Sequence, residues 1–146
     1  MELLIKHARI VDCSQDFLGD VYINNGIISR VGESLEEDCE TIDAKGLSLM
    51  PSLVDLHAHF REPGFTDKED IRTGCRAAVR GGYTMVNLMA NTNPPCSNMK
   101  IVDYVLKKVE EVGLIDAHQC VSITNNFNGE DISHLDLKGL QNTKIN

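Results

Sequence analysis

Two imidazoles and a guanidinium fall at alternate positions of residues 51–64, PSLVDLHAHFREPG: His57, His59 and Arg61. Residues 53–60 are mostly apolar, contain no Gly or Pro, and are bounded by Pro51-Ser52 and Pro63-Gly64, which predicts a short buried strand. Side chains alternate along a strand, so Asp55, His57, His59 and Arg61 are expected on one face. The two histidine Cα atoms would then stand about 6.5–7 Å apart, a span that two imidazoles close around one metal ion at about 2.0–2.1 Å each. A lone His-x-His pair is a weak signal, because buried hydrogen bonds can satisfy two histidines equally well. The residues that follow strengthen it. A strand that runs into Arg61-Glu62-Pro63-Gly64 and then a helix puts these groups at the carboxyl end of a strand, where α/β folds bind ligands. His57 and His59 are therefore the candidate metal ligands; Asp55, deeper in the strand, could support the site, but a buried hydrogen bond is its simpler reading.

A second constellation lies in residues 89–95, MANTNPP. Arg61 and Asn91 end neighbouring predicted strands, so a rigid fork of donors and an amide could grip one carboxylate. Taken alone, Asn91 reads better as a loop-capping side chain. His7, His118 and His134 have no partner at ligand spacing and are taken as structural or surface residues. Cys13, Cys39, Cys75, Cys96 and Cys120 are odd in number, widely spaced and free of any Cys-x-x-Cys pair, so neither a disulfide framework nor a cysteine zinc site is suggested. Cys96 follows Pro94-Pro95 near the candidate site, with packing as its expected role.

These groups need elements to hold them. Residues 3–11 have strand composition, and 20–24 and 27–31 flank Asn25-Gly26, the dipeptide of a type I′ hairpin turn. Residues 33–40 are acidic and read as a solvated loop; 41–50 return the chain through a turn at Asp43-Ala44-Lys45-Gly46. After Pro51 the pattern becomes strand, helix, strand. Thr66-Asp67-Lys68-Glu69 fits a capping box, followed by an apolar stripe of Ile71, Cys75, Ala78 and Val79 and a stop at Gly81-Gly82. Residues 83–89 predict a parallel strand covered on both faces. A second helix is expected from Ser97 to Gly113 with Val102, Val105, Leu106, Val109 and Val112 inward, then a strand over 118–124, a poorer helix over 131–141 and a fourth strand opening at 144–146. Strands recurring about every 30 residues with helices between them are βα units. Barrel and open sheet are not distinguished by this pattern.

With 146 residues, 42% hydrophobic and 25% charged, the composition is that of an ordinary globular protein. A net charge of −8 argues against a nucleic-acid footprint and against an anionic membrane surface. No apolar run is long enough to span a bilayer and the start MELLIKHARIVD lacks a signal-peptide core, so the reading is cytoplasmic.

The run DLHAHFREPG, followed by KED, TGCRAAVRGG and MANTNPP, closely resembles the dihydroorotases of the amidohydrolase superfamily, and the resemblance covers essentially the whole chain. It implies an α/β fold: the N-terminal part of a (β/α)8 TIM-like barrel over residues 51–146, amounting to three or so βα units, preceded by a small β-rich, sandwich-like domain over 1–50. It implies zinc, one or two ions, with His57 and His59 among the ligands. Arg61 and Asn91 take from it the role of binding the substrate carboxylate. The implied reaction interconverts L-dihydroorotate and N-carbamoyl-L-aspartate in pyrimidine synthesis. The general base, an aspartate late in the family's barrel, falls outside these residues, so no catalytic residue is assigned. A catalytic zinc usually takes three protein ligands, and Asp67, Asp116 and Asp131 are not expected at strand carboxyl ends; an inactive fragment of a longer enzyme is therefore expected. The family usually has Gly where this chain has Ser52 and Pro where it has Ala90, differences that touch backbone geometry rather than ligands. Alternatives are a hydantoinase- or allantoinase-type cyclic amidase, which fits Arg61-Glu62-Pro63-Gly64 less well, and a non-catalytic homologue supporting aspartate transcarbamoylase, which intact His57 and His59 argue against. Expected partners are a small-molecule substrate and, from the resemblance, a second copy of the chain or aspartate transcarbamoylase.

Overall fold

The structure, a computed structural model, describes residues 1–134, 144 and 145. The chain divides into two compact units, Met1–Pro51 and Ser52–Asn146.

In the first unit β1 (Glu2–Val11), β2 (Asp16–Asn24), β3 (Ile27–Gly32), β4 (Glu40–Asp43) and β5 (Ser48–Leu49) form one sheet. Its order is β3-β2-β1-β4, with β5 also paired to β1; β1 and β2 are antiparallel, as are β2 and β3, whereas β4 and β5 run parallel to β1. Asn25 (φ 52°) and Gly26 (φ 77°) both take the left-handed conformation that the I′ hairpin turn demands. A bulge in β1 takes residues between Ile5 and Ala8 out of register and puts His7 at φ 60°. The His7 amide then donates to Asp20 Oδ1 at 2.8 Å, while Asp20 Oδ2 accepts from the Leu35 amide at 2.9 Å. Burial of this carboxylate raises its pKa, but the two backbone donors outweigh that and leave it lowered overall. Ala8, Ile10, Val21 and Ala44 make the unit's core.

The second unit alternates β6 (Leu53–Ala58), α1 (Ile71–Arg80), β7 (Tyr83–Leu88), α2 (Met99–Val112) and β8 (Asp116–Gln119). Its strands are parallel in the order β6-β7-β8, which requires each helix to cross over between strands. Ile71 and Cys75 of α1, Val105 and Val109 of α2, Val86 and Leu88 of β7, Ala117 of β8 and Phe60 form one core. The helical stripes supply it from one side, and Tyr83, Met85 and Asn87, alternating with Val86 and Leu88, stay half-buried, so β7 is not fully covered on both faces.

Several expectations are corrected. Strand β6 is not buried as expected: Leu53, Val54 and Leu56 are exposed, because among the described residues it is paired only on the β7 side. Helix α1 does not start at the Thr66–Glu69 tetrad: Asp70 is its N-cap, accepting from the Thr73 amide at 2.7 Å while Thr73 Oγ1 accepts from the Asp70 amide at 3.3 Å. Both tetrads suit a helix start locally, and the one adjoining the buried Ile71 prevails. Val79 belongs to the expected stripe yet is exposed. Helix α2 is capped by Asn98, which accepts from the Ile101 amide, rather than by Ser97; Gly113 closes it at φ 65°. Strand β8 occupies 116–119 instead of 118–124, because Met85↔Asp116 through Leu88↔Gln119 exhausts its register with β7. The helix expected over 131–141 lies mostly outside the described residues; 131–134 are not helical. Of the expected fourth strand, Ile145 makes a parallel bridge to Gln119, and residue 146 lies outside the described residues.

Candidate functional site

Strand β6 ends at Ala58, so His57 is its penultimate residue and His59 stands just past its carboxyl end. Alternation persists through Phe60: Ala58 and Phe60 pack into the helix-covered core, while His57 and His59 line a cleft. The imidazole centroids are 5.1 Å apart with the planes at 64°. Asp55 Oδ1 accepts from the His57 amide at 3.0 Å, giving this carboxylate a hydrogen-bonded place beneath the pair.

Alternation stops at Arg61, whose φ is 59°. The expectation that Arg61 shares the histidine face by strand parity is therefore wrong: the strand has already ended, and a left-handed residue turns the chain. Arg61 is not among the residues lining the histidine cleft. Its carbonyl accepts from the Phe65 amide at 3.0 Å.

Asn91, three residues beyond β7, does reach the histidines: its Oδ1 lies 2.8 Å from His59 Nδ1. An amide oxygen can only accept, so Nδ1 is the donor, and in the neutral ring that leaves the lone pair on Nε2. That is the tautomer a histidine needs to bind a metal through Nε2. The cleft holds about 390 Å³ and brings together His57, His59 and Asn91 with Cys120, Ser122 and Thr124, against apolar walls from Val121, Ile123 and Phe127. The residues after β8 were missed as site residues, because a strand drawn to 124 conceals that 120–124 form a loop at its carboxyl end. His134 has a structural role here, donating from Nε2 to the Ser122 carbonyl at 2.8 Å.

The loops after β6 and β7 are joined. The Asn93 amide donates to the Pro63 carbonyl at 2.9 Å, and the Glu62-Pro63 and Asn93-Pro94 peptides are both cis. Gly64, at φ 96°, touches Asn93 so closely that a Cβ there would overlap its carbonyl oxygen and stand 2.5 Å from its Cβ. On the other side of the β6 loop, Glu62 is only 7% exposed. Its carboxylate accepts from the Ile71 amide at 3.0 Å, from Tyr104 Oη at 2.6 Å and from Lys108 Nζ. Burial pushes its carboxyl up, but these three donors outweigh it and hold the pKa below the usual value; the same bond to Glu62 raises that of Lys108.

Two adjacent imidazoles, one of them held through Nδ1 by Asn91, fit a zinc ion as part of a ligand set. Among the described residues no three His, Cys, Asp or Glu side chains converge on one point. Asp116 opens β8, rather than preceding it, and pairs with Lys144 at 2.8 Å, while Asp131 accepts from Asn125 and Ser133. Cys96 is fully buried, and burial pushes its thiol up to about 12, so it packs rather than reacts.

Parallel βα units carrying histidines at the carboxyl end of one strand and an amide from the next loop define an α/β protein whose candidate ligand site lies at the strand ends. Solved structures share this fold. An L-hydantoinase (dihydropyrimidinase) from Arthrobacter aurescens superposes with a TM-score of 0.71 at 23% identity, covering 85% of this chain and 28% of that one. A dihydropyrimidinase from Brevibacillus agri NCHU1002 gives 0.69 at 27% identity, covering 99% and 31%. A family model described as Dihydro-orotase-like matches residues 46–143, and the chain belongs to that family. Curated relatives include a dihydroorotase of Clostridium botulinum (strain Eklund 17B / Type B), 52% identical over 136 residues, with 92% of this chain and 34% of the relative covered. Another, from Aquifex aeolicus (strain VF5), is 40% identical over 136 residues, covering 91% and 32%. The chain thus spans about a third of the length of the curated relatives it matches.

Proposed function

We propose that the protein containing this chain is a zinc-dependent dihydroorotase, which hydrolyses the ring amide of L-dihydroorotate to N-carbamoyl-L-aspartate and closes it in the reverse direction. The observation that carries this reading is the His59 Nδ1 to Asn91 Oδ1 contact of 2.8 Å, which joins the candidate metal ligands and the candidate substrate amide in one cleft. Residues 51–146 are read as the first units of a (β/α)8 barrel and residues 1–50 as the small β domain that precedes it in the chain, a reading supported by the likeness to the hydantoinase structures. The absence from the described residues of a helix long and apolar enough to cross a membrane is consistent with a cytoplasmic enzyme.

His57 and His59 would hold the zinc through imidazole nitrogens, with further ligands from elsewhere. Zinc, when bound, polarises a carbonyl and brings the pKa of a water it binds to about 7. The chain's own residues do the remaining work. Asn91 fixes the His59 ring with its oxygen and offers its NH₂ end to the substrate carboxylate. The Arg61 guanidinium, carried on the loop after β6 and outside the lining of the histidine cleft, would reach that carboxylate from the loop side with the paired donors that match it, the role the family resemblance implies. Holding the substrate by its non-reacting carboxylate converts ring opening into an oriented, effectively intramolecular event. Val121, Ile123 and Phe127 give the cleft its apolar walls. Dihydroorotate is favoured over hydantoin because hydantoin has no carboxylate for Arg61 to bind.

Zinc analysis together with turnover of dihydroorotate and of hydantoin tests this in the intact protein. His57→Ala and His59→Ala should each lower bound zinc and abolish turnover. Unchanged zinc in both variants, or a preference for hydantoin in the parent, would overturn it.

A further inference from the structure

We propose that Glu62 is the positioning residue of Arg61: its buried carboxylate, bonded to the first amide of α1 and to Tyr104 and Lys108 of α2, pins the loop that presents the guanidinium. This rests on the reading of Arg61 as the residue that binds the substrate carboxylate.

The geometry supports it from both sides of the peptide. Arg61 sits at φ 59°, a conformation an L residue rarely keeps unless its surroundings enforce it. The next residue, Glu62, is tied at both ends: its amide donates to the Phe60 carbonyl at 2.7 Å, and its side chain takes three donors from two helices. Phe60, two residues before, is locked against α1, where a Cβ on Gly74 would stand 2.5 Å from its ring. Arg61 is thus flanked by an apolar and a polar anchor. A carboxylate serves the polar one because it alone accepts from an amide, a phenol and an ammonium at once. Tyr104 and Lys108 lie one helical turn apart on α2, so the loop's position is referred to a helix more than forty residues further along the chain.

The test is a double-variant comparison in the intact, zinc-loaded protein, reading KM and kcat for dihydroorotate with zinc content alongside. Arg61→Met should raise KM by about ten- to a hundredfold, the loss expected for a charged hydrogen bond. Glu62→Gln should raise KM by about three- to tenfold, with kcat nearly constant and zinc unchanged. In the Arg61→Met background, Glu62→Gln should add nothing, since a residue acting only through Arg61 has nothing left to position. Tyr104→Phe removes one donor with little change in volume and should shift KM the same way by less, again only when Arg61 is present. Equal effects of Glu62→Gln with and without Arg61, or parental KM in Glu62→Gln while Arg61→Met is impaired, would overturn the positioning role alone. Parental KM in Arg61→Met would overturn the reading of Arg61 and the role of Glu62 with it.

Discussion

One end of the Asn91 amide accepts from His59, which leaves the other end to donate, and substitutions can separate the two ends. Asn91→Asp keeps an acceptor for Nδ1 but sets a negative charge where the substrate carboxylate is proposed to bind. Zinc content should stay near the parent's while KM for dihydroorotate rises. Asn91→Ala removes both functions, and zinc affinity should also fall by about tenfold or more, as for other partners of a ligating histidine. Equal zinc affinity in the two variants would show that the contact does not orient the ring. The thiols give a separate test. Burial pushes Cys75 up to about 11 and Cys96 up to about 12, whereas Cys13 is exposed. A thiol reagent at neutral pH should therefore modify Cys13 in the native protein and reach Cys75 and Cys96 only after denaturation. Early labelling of Cys96, read by peptide mass analysis, would contradict the packing described.

At the scale of elements, the polar anchor between the β6 loop and helices α1 and α2 makes stability depend on acid. The Glu62 carboxyl is lowered in the fold, so its contribution is complete above the unfolded value of about 4.3 and is lost as pH falls through the folded value. Lys108 is raised, so its share is complete below about 10.4 and is lost only at higher pH. Thermal melting should be flat in this respect through neutrality and should drop below about pH 4, and Glu62→Gln should flatten that acid limb. An unchanged acid limb in the variant would remove Glu62 from the account. Much at this scale was legible beforehand: Asn25-Gly26 marks its hairpin, the spacing of Ile71 and Cys75 marks the inner face of α1, and Gly113 ends α2. These signals are local. The loop of residues 59–64 was not legible, because its shape depends on Tyr104, Lys108 and Asn93, which no short window contains. Hence the sequence pairs Asn91 with Arg61, whereas the structure brings Asn91 to His59 and turns the Arg61 backbone to φ 59°, out of the strand parity expected of it. The start of α1 was misread for a related reason, since Thr66-Asp67-Lys68-Glu69 and Asp70-Ile71-Arg72-Thr73 compete on local terms and burial of Ile71 decides between them.

For the molecule as a whole, the described parallel sheet leaves β6 paired on one side only. Leu53, Val54 and Leu56 of that strand are exposed, Leu56 by 75%. An unpaired edge bearing large apolar side chains invites pairing with another chain. The 146-residue chain, purified by itself, should self-associate with rising concentration in light scattering, and Leu56→Lys should reduce that association without altering helical content. A monodisperse monomer throughout the series would mean that this edge is protected in solution.

The contact between Gly64 and Asn93 also limits how this protein can vary over generations. The two residues belong to different loops, yet the space that either may occupy is defined by the other. A codon change that places any side chain at position 64 must push aside the backbone of residue 93 and, through the bond between Asn93 and Pro63, disturb both loops together. Such a change could become fixed only in a lineage that had already altered the neighbouring loop. Among descendants of this gene, the two positions should therefore be inherited as a pair.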